Sequence, residues 1–444
     1  MKICAYVQEA YAKAGYKNEC METRQFVGLR VIVDCLERAG YEVEYAGAAT
    51  VHNYDVVLVS LTSDCDWWSF IAERTKWQPG DYKVVIGGAG LLHITPFLPF
   101  GDFFIFGRGE DLIVPLVRGI ERDGGWAHES VACSKTFSPD RIYRIAQVSK
   151  PYPHEISIGR NRNFREGPIG CNHRCMFCGY TWQRRFVSPD NYYYMKDSLF
   201  GGIAEKERAL LDLHKDLDQV DFSHLRTTSI DGMSERLRRM VNKPITKAVL
   251  LDFLGSMLRY QGKPHQIKLY SIVGYPTETE SDWHEIVDVI SQADRGSVLI
   301  DRPWSIVLHC TPFRAMPATP MACEPMSYRN YRGEIGRVLG AGLKGNLIYQ
   351  GRNLWAVESM GTESLPTVIL SAICHRGSSA DTDAIMRVSR SRKFWSASTA
   401  VRVATLERYF DVDTLFGRFS PETLPSRYLR TYAKVEKLWS KPFK

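Results

Sequence analysis

Two short runs, DVVLVS at residues 55–60 and KVVIGG at residues 83–88, are apolar at nearly every position rather than at every second one. A strand of that kind buries both faces, which is the condition of a parallel sheet covered by helices on each side. The neighbouring segments agree. Lys2 to Val7 is a brief apolar run, and Arg24 to Ala39 carries apolar residues at helical spacing up to Gly40, a natural helix stop. YEVEYAG and DFFIFGRGE add β-rich stretches closed by glycine or a small polar residue. Strands alternating with helices predict a doubly wound, Rossmann-like α/β domain over residues 1–123.

Residues 124–154 lose this periodicity and read as a linker. A second α/β region spans 155–330: TKAVLLDFLGSMLRY and ESDWHEIVDVISQA have helical patterns, QIKLYSIVGYP is a strand with its turn, and SVLIDRPWSIVLHCTPF holds one or two strands. Residues 331–444 are mainly helical in pattern, notably TDAIMRVSRSRKFWSASTAVRVATLERYF and RYLRTYAKVEKLW. With 444 residues and 44% hydrophobic content, the chain has room for such domains. The first residues turn polar after one short apolar run, and no apolar stretch reaches the roughly 18 residues of a membrane span. A cytoplasmic protein without a membrane partner is expected.

The formal net charge is +7, and residues 331–444 alone hold 18 Lys and Arg against 10 Asp and Glu, an excess of 8. Such asymmetry fits an anionic partner or a solvated basic face. Eleven cysteines, an odd number spread along the chain, argue against a disulfide framework. Cys4, Cys35, Cys65, Cys310 and Cys374 lie in apolar contexts and are expected in cores. Only Cys171, Cys175 and Cys178, in GPIGCNHRCMFCGY, have ligand spacing. Thiolates select zinc, copper(I) or iron-sulfur iron. A structural zinc wants a fourth ligand, and His173 sits too close in sequence to two of the thiols to close the same tetrahedron. A 4Fe-4S cube held by three cysteines instead keeps one iron open to a reactant.

This C-x3-C-x2-C run, with Phe177 directly before its third cysteine, resembles the signature of the radical SAM enzymes. The resemblance covers about residues 1–325 and implies a partial (β/α)6 barrel over 155–330. It also implies a 4Fe-4S cluster on Cys171, Cys175 and Cys178, and S-adenosylmethionine cleaved by an electron to a 5′-deoxyadenosyl radical that takes hydrogen from a carbon centre. An electron donor such as flavodoxin or ferredoxin follows as a partner. ISIGRNRNFREGPIGC leads from a strand into the cysteine loop, and GYPTET resembles the family's G-x-P-x-E-T turn. On that likeness Phe177 and Tyr180 flank the adenine, and Gly274 and Glu278 border the adenosyl pocket. Taken alone, GYPTETE is also a plain helix N-cap after a turn. HCTPFRAMPATPM, from His309 to Met321, resembles the segment closing the barrel. A strand at QVDFSHLRTTS offers Asp221, Ser223 or Thr227 to the methionine or ribose portion, although the family's Gly-Gly-Glu element is not legible. Tyr275, His309 and Cys310 are candidate proton or hydrogen donors, with a structural role as the alternative.

The first domain resembles the cobalamin-binding domain fused to one radical SAM subgroup. The resemblance implies that Ser60, Thr62, Gly87 and Gly88 line the corrin and its nucleotide tail, while Gly107 to Glu110 close the sheet. No histidine precedes His52, so the lower-ligand loop of some cobalamin domains is missing. Either cobalamin binds without a protein imidazole or the domain is a scaffold that has lost it. At the other end Arg390, Arg392, Lys393, Arg427 and Arg430, interleaved with Trp and Tyr, suit phosphate neutralisation with base stacking, though aromatics at helical spacing also serve cores. Three functions remain open. The first is radical rearrangement, isomerisation or other modification of a nucleic-acid or nucleotide-linked substrate, a hypermodified viral thymidine among them by resemblance to virus-encoded members, in which case the host cytoplasm is the site. The second is cobalamin-dependent methylation of a small molecule. The third is a metal-containing nucleic-acid-binding protein without turnover.

Overall fold

The computed structural model of the chain describes residues 1–8, 27–64, 66–157, 163–164, 166, 169–171, 174–183, 227–243, 245–259, 266–295, 305–327, 331–343, 348–349, 352–353, 355–359 and 365–430. Its first sheet is built from β1 (Ile3–Tyr6), β2 (Val43–Ala46), β3 (Val56–Ser60), β4 (Lys83–Gly87), β5 (Phe103–Ile105) and β6 (Val131–Cys133), in the order β2-β1-β3-β4-β5-β6. Neighbours run parallel except β6, which lies antiparallel to β5 with Phe103 opposite Cys133. β6 falls inside the expected linker; three residues are too few to display a period.

The helices of the first half are α1 (Val27–Arg38), α2 (Asp66–Arg74), α3 (Ile113–Asp123) and the short α4 (Gly179–Gln183). The barrel region adds α5 (Glu235–Met240), α6 (Lys247–Arg259), α7 (Glu280–Arg295) and α8 (Tyr331–Gly342). The C-terminal region holds α9 (Leu365–Arg376), α10 (Thr382–Arg390), α11 (Arg392–Ser396), α12 (Thr399–Tyr409) and α13 (Val412–Phe416). The long helical pattern at 382–410 is broken at Ser391, whose side chain accepts from the Phe394 amide at 3.1 Å, and again at Ser398, the N-cap of α12.

The doubly apolar strands behave as their composition demands. Ile3, Ala5, Val56 and Leu58 pack with Leu29 and Val33 of α1 and Leu116 of α3, whereas Cys4, Tyr6, Val57 and Val59 enter a second core with Trp67 and Phe70 of α2. That second core continues through Ile369 and Ile373 of α9, Ile385 of α10 and Leu406 of α12. The basic C-terminal helices are thus the outer layer of the first sheet.

A second sheet joins β7 (Thr227–Ser229), β8 (Gln266–Val273), β9 (Ser305–Pro312) and β10 (Trp355–Ser359), all parallel. Ile267, Leu269 and Val273 of β8 point into a core with Phe253 of α6, Trp283 and Ile286 of α7 and Ile335 of α8. This is the strand and helix alternation expected of the partial barrel, with four parallel strands among the described residues. β10 lies in the stretch that the pattern assigned to helix, past residue 330. No described helix is long and apolar enough to cross a membrane.

Asp64, in the loop after β3, ties three parts of the chain together. Its carboxylate accepts from Ser371 and lies 3.1 Å from His375 Nε2 and 3.6 Å from Arg314 Nη1, while Cys374 Sγ donates to its carbonyl at 3.3 Å. Burial alone would raise its pKa, but the His375 hydrogen bond and charge, then Arg314 and Ser371, hold it well below the usual carboxylate range. A depressed folded-state pKa contributes stability that is complete above the unfolded value, near 4, and is lost as pH falls below it. Asp64→Asn should therefore be less stable than the parent at pH 7 by urea unfolding. The gap should narrow by about 1.4 kcal/mol per unit below about pH 4; a gap unchanged by acid would contradict this.

Candidate functional site

The cysteine loop lies against the carboxyl ends of β7 and β8. Gly170, just before the first thiol, and Arg174, between the first and second, take positive φ, 78° and 53°, and curl the chain. Cys178 N donates to Cys175 O at 3.1 Å. The short α4 then reaches back: Thr181 Oγ1 donates to Cys171 O at 2.9 Å and Trp182 Nε1 to Cys175 O at 2.8 Å. On the other side, the turn after α5 docks on the loop. Met176 N donates to Val241 O at 2.9 Å, and Asn242 Nδ2 to Arg174 O at 3.2 Å.

This turn delivers Lys243, which sequence reasoning missed. Its Nζ lies 2.7 Å from Asp231 Oδ2, and the two side chains are 9% and 15% exposed. Asp231 sits two residues beyond β7, accepts from Ser229 Oγ, and receives the Tyr275 hydroxyl on its carbonyl at 2.8 Å. Burial pushes the Cys175 thiol up to about 12; Asp231, Cys178 and Cys171 add to the shift and Lys243 opposes it. Three neighbouring thiols, the middle one buried and the outer two half-buried, would repel one another as free thiolates, so the loop suits a cationic metal assembly that displaces the protons on binding. Among the described residues no three His, Cys, Asp or Glu side chains close round the position of a single ion. The donor set of three soft thiols with one adjacent cation fits an iron-sulfur cube, whose sulfur ligands sit on separate irons.

Phe177 is half-buried, with its ring centroid 6.3 Å from that of Tyr275, and Tyr180 is half-buried on α4. Gly274 has φ 81°, and a Cβ there would lie 2.2 Å from the Tyr331 hydroxyl, so the glycine serves the turn and the packing of α8. Glu278 is likewise committed. One carboxylate oxygen accepts from Trp283 Nε1 at 2.7 Å, the other from the amides of Gly274 and Tyr275, and burial leaves its pKa raised despite these bonds. The GYPTET turn thus holds itself together from within. His309 stacks on Tyr270 at 4.9 Å, its partner in register, on the sheet face away from α6 to α8. Cys310 points the opposite way, into the helix-packed core, where burial pushes its thiol to about 12. Asp221, Ser223 and His173 lie outside the described residues, and of Thr227 only the backbone is described.

At the carboxyl edge of the first sheet, the residues expected to line a corrin are engaged in loop packing. A Cβ on Gly88, φ 106°, would lie 2.3 Å from Leu61 O. Leu61 N donates to Gly87 O at 2.8 Å, so the loops after β3 and β4 are in backbone contact. Ser60 ends β3, and Thr62 places its amide and hydroxyl on Asp66 Oδ2 at 2.7 and 2.8 Å. With Asp64 covered by α9, this edge as arranged is not an open cradle for a macrocycle. Gly107 to Glu110 do more than close the sheet. Arg108 pairs with Glu110 and with Glu166 at 2.7 Å, and Glu166 leads towards the cysteine loop. Of the expected phosphate contacts, Arg390, Arg392 and Lys393 are exposed. Arg427 is paired with Asp140, and the Arg430 side chain is outside the described residues.

Lys243→Met should cost about 3 kcal/mol in the metal-free chain by leaving Asp231 buried and uncompensated. Adding Asp231→Asn should restore at least half of that in a double-mutant cycle; strictly additive losses would contradict the pairing.

No family model matches the chain. It is 22% identical over 295 residues to an uncharacterized protein of Methanocaldococcus jannaschii, covering 55% of this chain and 64% of that one. It is 25% identical over 187 residues to the tRNA-2-methylthio-N(6)-dimethylallyladenosine synthase of Aliivibrio fischeri and 27% identical over 189 residues to that of Haemophilus influenzae. Each match covers 42% of this chain and 36% of the synthase, so the chain spans about a third of the synthases' length. Among solved structures, apo OxsB, a cobalamin-dependent S-adenosylmethionine radical enzyme, matches at 11% identity and a TM-score of 0.24 over 86% of this chain and 53% of that one, a likeness too slight to carry weight. The chain thus carries a three-thiol loop at the carboxyl edge of a parallel sheet and is similar in sequence to these synthases.

Proposed function

We propose that the chain is a radical SAM enzyme that modifies a carbon centre of a nucleic-acid base or a nucleotide-linked substrate. The observation that carries the reading is the convergence of Cys171, Cys175 and Cys178 on one loop backed by the Lys243–Asp231 pair. Bound there, a 4Fe-4S cluster supplies the electron that cleaves S-adenosylmethionine and so opens hydrogen abstraction from carbon. The chain's own residues hold and shield. The three cysteines would each hold one iron, Lys243 offsets their negative charge, and Asp231 keeps Lys243 in place. Phe177 and Tyr275 supply an aromatic wall beside the loop, suited to the adenine. Tyr270 and His309, level with Ser229 across the sheet, offer polar groups on the face away from the helices, where a substrate would be oriented or protonated.

Two facts support the substrate class. The similar synthases are named for a tRNA modification, and residues 331–444 carry the excess positive charge. A rearrangement or isomerisation fits an enzyme in which no step need run through a corrin. A flavodoxin or ferredoxin would supply the electron. Cobalamin-dependent methylation of a small molecule is the second reading, supported by the doubly wound first domain, and it requires bound cobalt and S-adenosylhomocysteine as a product.

The test is anaerobic reconstitution with iron and sulfide, followed by metal analysis and incubation with dithionite and S-adenosylmethionine. Iron without zinc, together with 5′-deoxyadenosine formation that Cys171→Ser, Cys175→Ser or Cys178→Ser abolishes, is expected. One zinc per chain and no iron, or unchanged turnover in the serine variants, would overturn the proposal. Cobalt with S-adenosylhomocysteine would select the second reading.

A further inference from the structure

We infer that α10, α11 and α12 form a docking face for a single-stranded nucleic acid. Among the described residues the exposed large apolar side chains are Met1, Ile142, Trp395, Val401 and Tyr409, and three of these five fall between residues 395 and 409. α12 buries only Leu406 of its eleven residues, so a helix with tyrosine and valine on its outer side stands uncovered. Large apolar side chains left exposed on consecutive helices mark this stretch as a candidate interaction surface.

Charge identifies the partner. Residues 382–409 contain six Lys and Arg against two Asp and Glu, a local excess of 4. Arg387, Arg390, Arg392 and Lys393 are exposed, and among the described residues none of these four forms an ion pair, although acidic partners balance many arginines elsewhere in the chain. Three of the four are arginines, whose planar fork suits phosphate oxygens.

Trp395 is prearranged beside them. Its Nε1 donates to Ser389 O at 3.0 Å, Phe394 meets it edge-on at 4.9 Å, and the Arg402 guanidinium lies 5.7 Å from its ring centroid. An oriented indole, 40% exposed with one guanidinium beside it, suits stacking of a base while the exposed arginines of α10 and α11 hold the backbone. Bases in a duplex are already stacked on each other, which is why the inference is of a single strand. The same face would bring a nucleic-acid substrate to the enzyme proposed above, but its geometry does not depend on the cluster.

The experiment is fluorescence anisotropy of the full chain with labelled single-stranded DNA and RNA oligonucleotides and with a duplex, between about 50 and 200 mM salt. No reductant or S-adenosylmethionine is present, so a negative result leaves the cleavage assay standing. Arg390→Gln, Arg392→Gln and Lys393→Gln combined should weaken binding about tenfold or more and flatten the logarithmic salt slope by about 2. Trp395→Leu should weaken single-strand binding about tenfold and leave duplex binding unchanged. Thermal unfolding matching that of the parent confirms that each variant is folded. Parent chain that binds no oligonucleotide, or a triple variant with unaltered affinity and slope, would overturn the inference. So would a triple variant that keeps oligonucleotide binding but loses binding to an acidic electron-transfer protein, which would reassign the face to that partner.

Discussion

Everything at the centre of this molecule follows from bringing three thiols together on one loop, the middle one buried and the other two half-buried. Burial pushes the Cys175 thiol up to about 12, and the neighbouring charges of Asp231, Cys178 and Cys171 add to the shift. Among the described residues the compensating charge that opposes this shift is Lys243, fixed by Asp231 at 2.7 Å. A loop so arranged is incomplete without a cationic assembly. The rest of the barrel serves to hold it: β7 sets Asp231, the Tyr275 hydroxyl holds the Asp231 carbonyl, and the turn after α5 hydrogen-bonds to the loop backbone.

The parallel strands of the two sheets use their carboxyl edges differently. Ligands of open α/β folds bind at that edge, and in the second sheet it faces the cysteine loop. In the first, Asp64 and the loops after β3 and β4 are bound up with α9 and with each other. Arg376, 2% exposed, extends that closure by donating to the carbonyls of Leu415, Gly417, Ala322 and Glu324. The first domain consequently acts as the base on which the C-terminal helices are laid, and Arg108 links it to Glu166, which precedes the cysteine loop in the chain.

The buried strands, α1, α6, α7 and the cysteine loop were legible because each depends on a local pattern: unbroken apolar runs, helical spacing, ligand spacing. What was not legible depends on partners distant in sequence. Nothing in SIDG or VNKP marks Asp231 and Lys243 as a pair, and the strand assigned to QVDFSHLRTTS directed attention to Asp221 instead. Glu278 and Gly88 carry the right residue types for a pocket, yet one caps a turn and the other admits the Leu61 carbonyl. The mainly helical pattern of residues 331–444 did not say that α9 would lie on the first sheet. Arg427 was likewise read as a phosphate contact, whereas it is paired with Asp140.

The most direct test of the central claim is Mössbauer spectroscopy of anaerobically reconstituted protein, with and without S-adenosylmethionine. A cube held by Cys171, Cys175 and Cys178 should show one iron site whose parameters change when the amino and carboxylate groups of S-adenosylmethionine bind. Spectra that are identical in the two states, or a protein that assembles no cube, would contradict the account.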